Sequence, residues 1–317
     1  MKRFLLTAII VEVLMCYHVS AQQEPQLTHY MFDRLDYNPA YAGSREDICA
    51  TLLYHDQWSA FKGPDGEGGP ITQNFNIHSA IGDVNTDHFG IGLNVLNDQE
   101  GFQKTTSFMI DGAYHKKIDW QGLDVSAGIS VGAIQSGLNP TWHPPTSTPD
   151  PDLPGKVSVM GFDADAGLYV SNPTWYAGIS AVHIPQPNLN WGEANSTVQR
   201  VYYIMAGYTI ANVIPNKLDI TPGLLIQTNG GVTQYNINAI AIYLERFYGG
   251  LNYHSGDALS VMAGLYLLKP LLISFSYDIT TSQAAPFGGK TELLLTYCFK
   301  LDFGTGQPNF HKSTRFL

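Results

Sequence analysis

Charge is what this chain most lacks. Asp, Glu, Lys and Arg make up 14% of its 317 residues, against about 25% in an ordinary soluble domain. That scarcity argues against a soluble enzyme with a broad charged surface. The charge present runs acidic, to a formal net −10, and no basic stripe exists to meet a nucleic acid. Cysteine is scarce too, at three, which excludes a secreted scaffold stapled by several disulfides. A true membrane helix is also missing. The apolar segment 258–277, ALSVMAGLYLLKPLLISFSY, carries Lys269-Pro270 near its centre, where a charge is costly and a proline breaks a helix. Hydrophobic residues reach only 44% and mean hydropathy is −0.07, too little for a helical membrane protein.

Aromatics and glycine fill part of the gap, with 18 Tyr, 15 Phe and 31 Gly. Few charges, many Tyr and Gly, and middling hydropathy fit a transmembrane β-barrel with a polar lumen and an apolar outer band. The first residues agree with export. Lys2 and Arg3 precede an apolar run from Phe4, and Val19-Ser20-Ala21 offers small residues to a signal peptidase. Residues 1–21 therefore read as a signal peptide cut after Ala21. Cys16 invites a lipoprotein reading, but Leu14-Met15 lacks the small residues that such processing needs. Only Cys49 and Cys298 then remain in the exported chain.

Period-2 alternation runs through the rest. Leu259, Val261, Ala263, Leu265 and Leu267 share one face, and Ser260, Met262, Gly264 and Tyr266 the other. Leu123 to Ala133, Phe162 to Val170 and Tyr202 to Ile210 repeat the pattern, with turn signals such as Asn172-Pro173 and Gly256-Asp257 between them. The expected strands are 48–58, 71–81, 88–97, 103–118, 123–135, 159–171, 174–184, 200–211, 217–229, 231–243, 247–254, 258–268, 270–280 and 291–303. Most exceed the roughly 9–11 residues that a tilted strand needs to cross a bilayer. The expected fold is an all-β, 14-stranded antiparallel transmembrane β-barrel over 48–303. Asp111, Asp124, Asp163, Asp165, Asp219, Asp278 and Glu292 all fall on the face opposite the apolar one. An uncharged outer face this large would aggregate in water, whereas lipid requires it and closure satisfies the backbone. The long connections 59–70, 136–158, 185–199 and 281–290 all follow odd strands, which places them on one rim.

Both ends carry further signals. The last strand ends in Tyr297, Phe299 and Phe303, the aromatic pattern that an outer-membrane insertase recognises; a tail, 304–317, follows. Before the first strand, 22–47 lacks alternation yet holds Tyr30-Met31-Phe32 and Tyr37-Asn38-Pro39-Ala40-Tyr41-Ala42-Gly43-Ser44. Such a segment reads as a compact plug in the lumen or as a periplasmic tether. Those same runs, with Gln57-Trp58, Gly63-Pro64, Pro70-Ile71-Thr72-Gln73 and the terminal Ser-Thr-Arg-Phe-Leu, resemble the PorP/SprF family. Asp65-Gly66-Glu67-Gly68-Gly69 departs from it as an insert. The resemblance implies an outer-membrane barrel of the Bacteroidota type IX secretion system and gliding machinery. It implies as partners a secreted adhesin with a C-terminal sorting domain and peptidoglycan-associated periplasmic proteins.

Chemistry is thin. The ten His are dispersed without metal-ligand spacing and read as solvated rim or lumen residues, although a site between strands stays open. No nucleophile motif or phosphate loop appears, so neither a cofactor nor catalysis is expected. Cys49 and Cys298 lie on inward faces of the first and last strands. They are either a disulfide across the closing seam or two unrelated thiols, depending on register. Two functions remain: a non-enzymatic secretion component that docks, exports or anchors a surface adhesin, and a channel for small or hydrophobic solutes.

Overall fold

The computed structural model describes residues 24–58, 60–61, 68–140, 155–191, 194–268 and 270–300. The leader 1–21, the proline-rich stretch 141–154, Phe303 and the tail 304–317 lie outside the described residues.

Alternation becomes strand throughout. In order the strands are β1 (Ile48–Asp56), β2 (Ile71–Ile81), β3 (His88–Glu100), β4 (Gln103–Ile118), β5 (Leu123–Leu138), β6 (Val157–Ser171) and β7 (Trp175–Val182). There follow β8 (Asn188–Trp191), β9 (Ala194–Thr197), β10 (Val201–Tyr208), β11 (Ile210–Ile214), β12 (Leu218–Thr228) and β13 (Thr233–Tyr243). The last four are β14 (Phe247–His254), β15 (Ala258–Leu268), β16 (Leu271–Thr280) and β17 (Lys290–Phe299). All but β8 and β9 belong to one antiparallel sheet, ordered β10-β7-β6-β5-β4-β3-β2-β1-β17-β16-β15-β14-β13-β12-β11. Because β10 also pairs with β12, the sheet has no free edge. Interrupted at Thr209, β10 and β11 are successive parts of one wall strand, which makes the cylinder fourteen-stranded. Among the described residues no helix is long and apolar enough to cross a membrane; the strands do the crossing.

The two faces differ in kind. Outward positions are apolar and open, as at Ile129, Leu168, Leu251 and Phe275. Inward positions are polar and buried, as at Asp111, Ser130, Asn236 and Ser260. Outward aromatics gather at the two ends. Tyr54, Tyr202, Tyr235, Tyr253 and Tyr277 ring one end, and Phe89, Tyr114, Tyr208, Phe247 and Tyr297 ring the other. Aromatic girdles of this kind mark the two interfaces of a bilayer. The connections 57–70, 139–156, 183–200 and 281–289 share one rim with the short turns 101–102, 229–232 and 255–257, while the start of β1, the end of β17 and the remaining short turns share the opposite, periplasmic rim.

Four boundaries depart from the pattern reading. The expected strand 200–211 breaks at Thr209 and resumes to Ile214 through a register shift; there Asn212 adopts φ 59° and donates its backbone N–H to Asp219 at 2.6 Å. Among the described residues the last strand ends at Phe299, where its partner runs out, the final pair being Ile48 with Phe299; the expected continuation over 301–303 lies outside the described residues. The expected loop 185–199 holds the β8–β9 hairpin. Its four-residue strands are too short and too rich in Asn for alternation to show. Lastly, β3 and β5 run to Glu100 and Leu138, beyond the 97 and 135 expected, since each keeps its ladder to the long-loop rim.

Candidate functional site

Residues 24–43 run down the inside of the barrel, from the long-loop rim to the periplasmic rim where β1 begins. The lumen wall supplies what this non-repetitive backbone cannot, namely hydrogen-bond partners. Asn38 caps a single 3-10 turn, Pro39–Tyr41, by accepting from the Ala40 N–H at 2.9 Å. Its amide donates to the carbonyls of Leu168 (3.0 Å) and Ile179 (3.3 Å). Ser180 donates to the Tyr37 carbonyl, Ser126 to that of Ala40 at 2.7 Å, and His115 to that of Ala42 at 2.7 Å. Close approach is possible because the wall is glycine here. A Cβ on Gly128 would lie 2.4 Å from the Ala40 nitrogen, and one on Gly90 would lie 1.9 Å from the Ala42 oxygen.

The upper half of the segment is held by carboxylates. Glu292, wholly buried on β17, accepts the backbone N–H groups of Thr28 (2.6 Å) and His29 (3.0 Å). It also accepts from the rings of His29 and His55, each at 2.8 Å. Asp278 accepts from the Thr28 hydroxyl at 2.9 Å. Lower down, Asp33 accepts from Asn74 at 3.0 Å and from Asn76, and Asp36 accepts from Asn94 at 2.8 Å. Burial raises the Asp36 carboxyl to about 6. Arg34, on the one-turn helix α1 (Arg34–Tyr37), lies 3.8 Å over the Tyr176 ring and donates to the Tyr169 hydroxyl at 3.1 Å. With Tyr41 as a third wall at 5.6 Å, the rings give a buried guanidinium the electron-rich surroundings it needs.

The residues singled out in the N-terminal segment meet on this plug. The Tyr30 hydroxyl accepts from Asn238 at 2.7 Å, and Phe32 packs 5.1 Å from Tyr248. Tyr37 meets Tyr203 edge-on at 5.1 Å, while Tyr41 meets His78 at 5.2 Å and Tyr169 at 5.5 Å. Gly43 turns the chain out toward β1 at φ +76°. Tyr297 and Phe299 stack 5.6 Å apart near the periplasmic end of β17, away from the plug. Cys49 and Cys298 face one another in the β1–β17 register and are joined as a disulfide.

Pattern alone missed Thr28, His29, Arg34 and Asp33, and placed Glu292 on the inward face without showing that it holds the plug. Their partners lie far away in sequence, so no local signal marks them, apart from an acid in a strand otherwise full of Leu. The histidines need correcting as well. They were expected to be solvated, but His29, His55, His115 and His254 are at most 1% exposed, because plug and wall close over one another. Two groups bring His and carboxylates close together, His88/His115/Asp124 and Asp163/Asp165/His183. In both, each ring nitrogen already faces a hydrogen-bond acceptor. His88 meets the carbonyls of Thr86 (2.9 Å) and Gly43 (3.1 Å), His115 meets Asp124 (3.2 Å) and Ala42, and His183 meets Asp163 and Glu24 (2.9 Å). These rings fasten the plug to the wall through Gly43, Ala42 and Glu24.

A closed, girdled, fourteen-stranded cylinder with an internal plug defines an integral outer-membrane β-barrel. Residues 19–297 match the family described as type IX secretion system membrane protein PorP/SprF, and the chain belongs to that family. It is therefore an outer-membrane component of type IX secretion, with a structural or transport role. Solved barrels resemble it distantly. The Ralstonia pickettii toluene transporter TbuX is 12% identical over 86% of this chain and 93% of its own, with a TM-score of 0.49. A Pseudomonas aeruginosa FadL homologue is 12% identical over 87% and 95%, at 0.47. Acinetobacter baumannii Omp33 is 7% identical over 80% and 99%, at 0.47. Among curated proteins, none matches.

Proposed function

We propose that this barrel is a non-enzymatic docking and anchoring component, which retains a secreted adhesin at the cell surface. The observation that carries the reading is the fastening of the plug. Wall strands on both sides of the lumen, among them β2, β3, β5, β6, β16 and β17, hydrogen-bond to it. A lumen tied shut this way favours a barrel that works through its rims over one that passes solutes. The long-loop rim meets the adhesin's C-terminal sorting domain, and the turns of the periplasmic rim meet peptidoglycan-associated proteins of the machinery.

Deletion of the gene is expected to strip one large adhesin from the cell surface and to impair gliding, with complementation restoring both. Normal surface adhesin, together with ion conductance and solute uptake by the purified barrel, would replace this reading with that of a channel.

A further inference from the structure

The connection after β7 carries two residues in the left-handed backbone region. His183 stands at φ 55° and Gln186 at φ 51°, where a side chain is strained and the surroundings must hold the chain in place. What holds His183 is a set of carboxylates. Its Nδ1 meets Asp163 and its Nε2 meets Glu24 at 2.9 Å, while its backbone N–H donates to Asp165 at 2.8 Å. A neutral imidazole has one N–H and cannot serve two carboxylates, so this ring is the imidazolium. Burial works against that charge, and the Glu24 and Asp163 carboxylates more than reverse it, holding the His183 pKa well above the ordinary value. Asp163 belongs to the wall and Glu24 to the plug. His183 therefore ties the top of the plug to the wall, at the base of the β8–β9 hairpin.

Beyond that base the hairpin moves as one piece and rests on a small patch. Its two stems are joined to each other: Val198 donates its backbone N–H to the Pro187 carbonyl at 3.0 Å, and the Arg200 guanidinium donates to the Ile184 carbonyl. Toward the barrel, Leu189 and Val198 bury against Ile134, with Val159 and Trp191 alongside, a cluster separate from the core around the plug. Pro187 fits over Gly161, where a Cβ would come within 2.7 Å of it. Under the hairpin lies a cavity of about 260 Å³, with Leu189, Ser196 and Val198 on one side and Asp36 and Tyr37 of the plug on the other. Glu24 shares a smaller cavity with Gln199 and Val201, so it sits between the outgoing and the returning stem.

We propose that the β8–β9 hairpin is a hinged lid over the mouth of the lumen, latched to the plug through His183 and Glu24. The hinge is the left-handed turn from His183 to Gln186. Lifting the hairpin unwinds the turn that presents the imidazolium to Glu24, and withdrawing Glu24 leaves that buried cation short of one carboxylate. Opening the lid and freeing the upper end of the plug thus favour each other. Such coupling is reciprocal: the factor by which lid opening promotes plug release is the factor by which plug release promotes lid opening. The lower plug has its own seats at Asn38, Ala40 and Ala42 and stays outside the unit. The latch does not depend on the adhesin reading above.

The test is amide hydrogen exchange, read by mass spectrometry, on the full-length barrel in detergent. Glu24→Gln should speed exchange about tenfold both across 184–200 and at 24–28, the scale of one charge-assisted hydrogen bond. Leu189→Ala loosens the lid at a point away from the latch; it should speed exchange across 184–200 and, through the latch, at 24–28. In the Glu24→Gln background Leu189→Ala should no longer change 24–28, and 38–43 should keep the parent rate throughout. Heat-modifiable migration in gels shows which variants have folded, and Val198→Ala takes the place of Leu189→Ala if that one has not. The proposal is overturned if folded Glu24→Gln exchanges as the parent does, or if the lid loosens while 24–28 stays unmoved. It is equally overturned if Leu189→Ala acts on 24–28 to the same extent with and without Glu24, or if 38–43 speeds up as much as 24–28.

Discussion

Glu292 offers the sharpest test of the plug. Its carboxylate receives four donors at once: two backbone N–H groups and two imidazoles. Glu292→Gln keeps the shape but turns one oxygen into an NH2 group that faces donors. At least two charge-assisted bonds are lost, and the stranded donors stay buried. Breaking a buried ionic arrangement by removing one partner costs about 3–5 kcal/mol, which moves the release equilibrium of the upper plug by roughly two to three and a half powers of ten. The outer wall, which holds the barrel in lipid, is untouched by the change. The variant should therefore insert normally yet show long-lived open events in planar bilayers that the parent lacks, and a protease should trim its first residues faster. Parent-like conductance and trimming in a correctly inserted variant would refute the reasoning.

Other substitutions probe the rest of the plug. Gly128→Val puts a side chain where the Ala40 backbone lies and should expel the lower plug, read as loss of protease protection near 38–43. Arg34→Met empties the tyrosine cage of its cation and should cost about 1–2 kcal/mol or more, seen as a lower thermal midpoint. With Asp36 at about 6, above its ordinary 3.8, the folded state holds a proton that the unfolded chain releases. Stability should therefore fall as pH rises between those values, and Asp36→Asn should flatten that fall in thermal melts. Alkylation under denaturing, non-reducing conditions should find neither Cys49 nor Cys298 free. Changing both to Ser should lower the temperature at which the barrel loses its folded gel mobility, since the bond closes a sequence separation of 249 residues.

The wall was legible in the sequence because lipid imposes a period of two on every strand, and a run such as Phe162 to Val170 states it residue by residue. Failures of the pattern came where another rule took over. Between Ile210 and Ile214 a register shift re-aims the chain, and at Phe299 the partner strand ends. In the β8–β9 hairpin, burial against Ile134 and Val159 rather than alternation stabilises two very short strands. The N-terminal segment was legible in composition only. Its aromatics, with Asn38-Pro39 and Gly43, suggest compactness, but Asn38 gives no hint that it will bridge Leu168 and Ile179. Nor does His29 announce Glu292. Contacts between residues 130 to 264 positions apart leave no trace in a local reading.

That separation also bears on how the molecule is put together. Thr28 and His29 come early in the chain, yet Glu292 lies on the last strand and Asp278 on the one before it. The seat of the upper plug is therefore complete only when the final two strands stand beside the first. A seated plug thus reports that the cylinder has closed, and any partner that recognises the seated form reads a finished barrel rather than an assembling one.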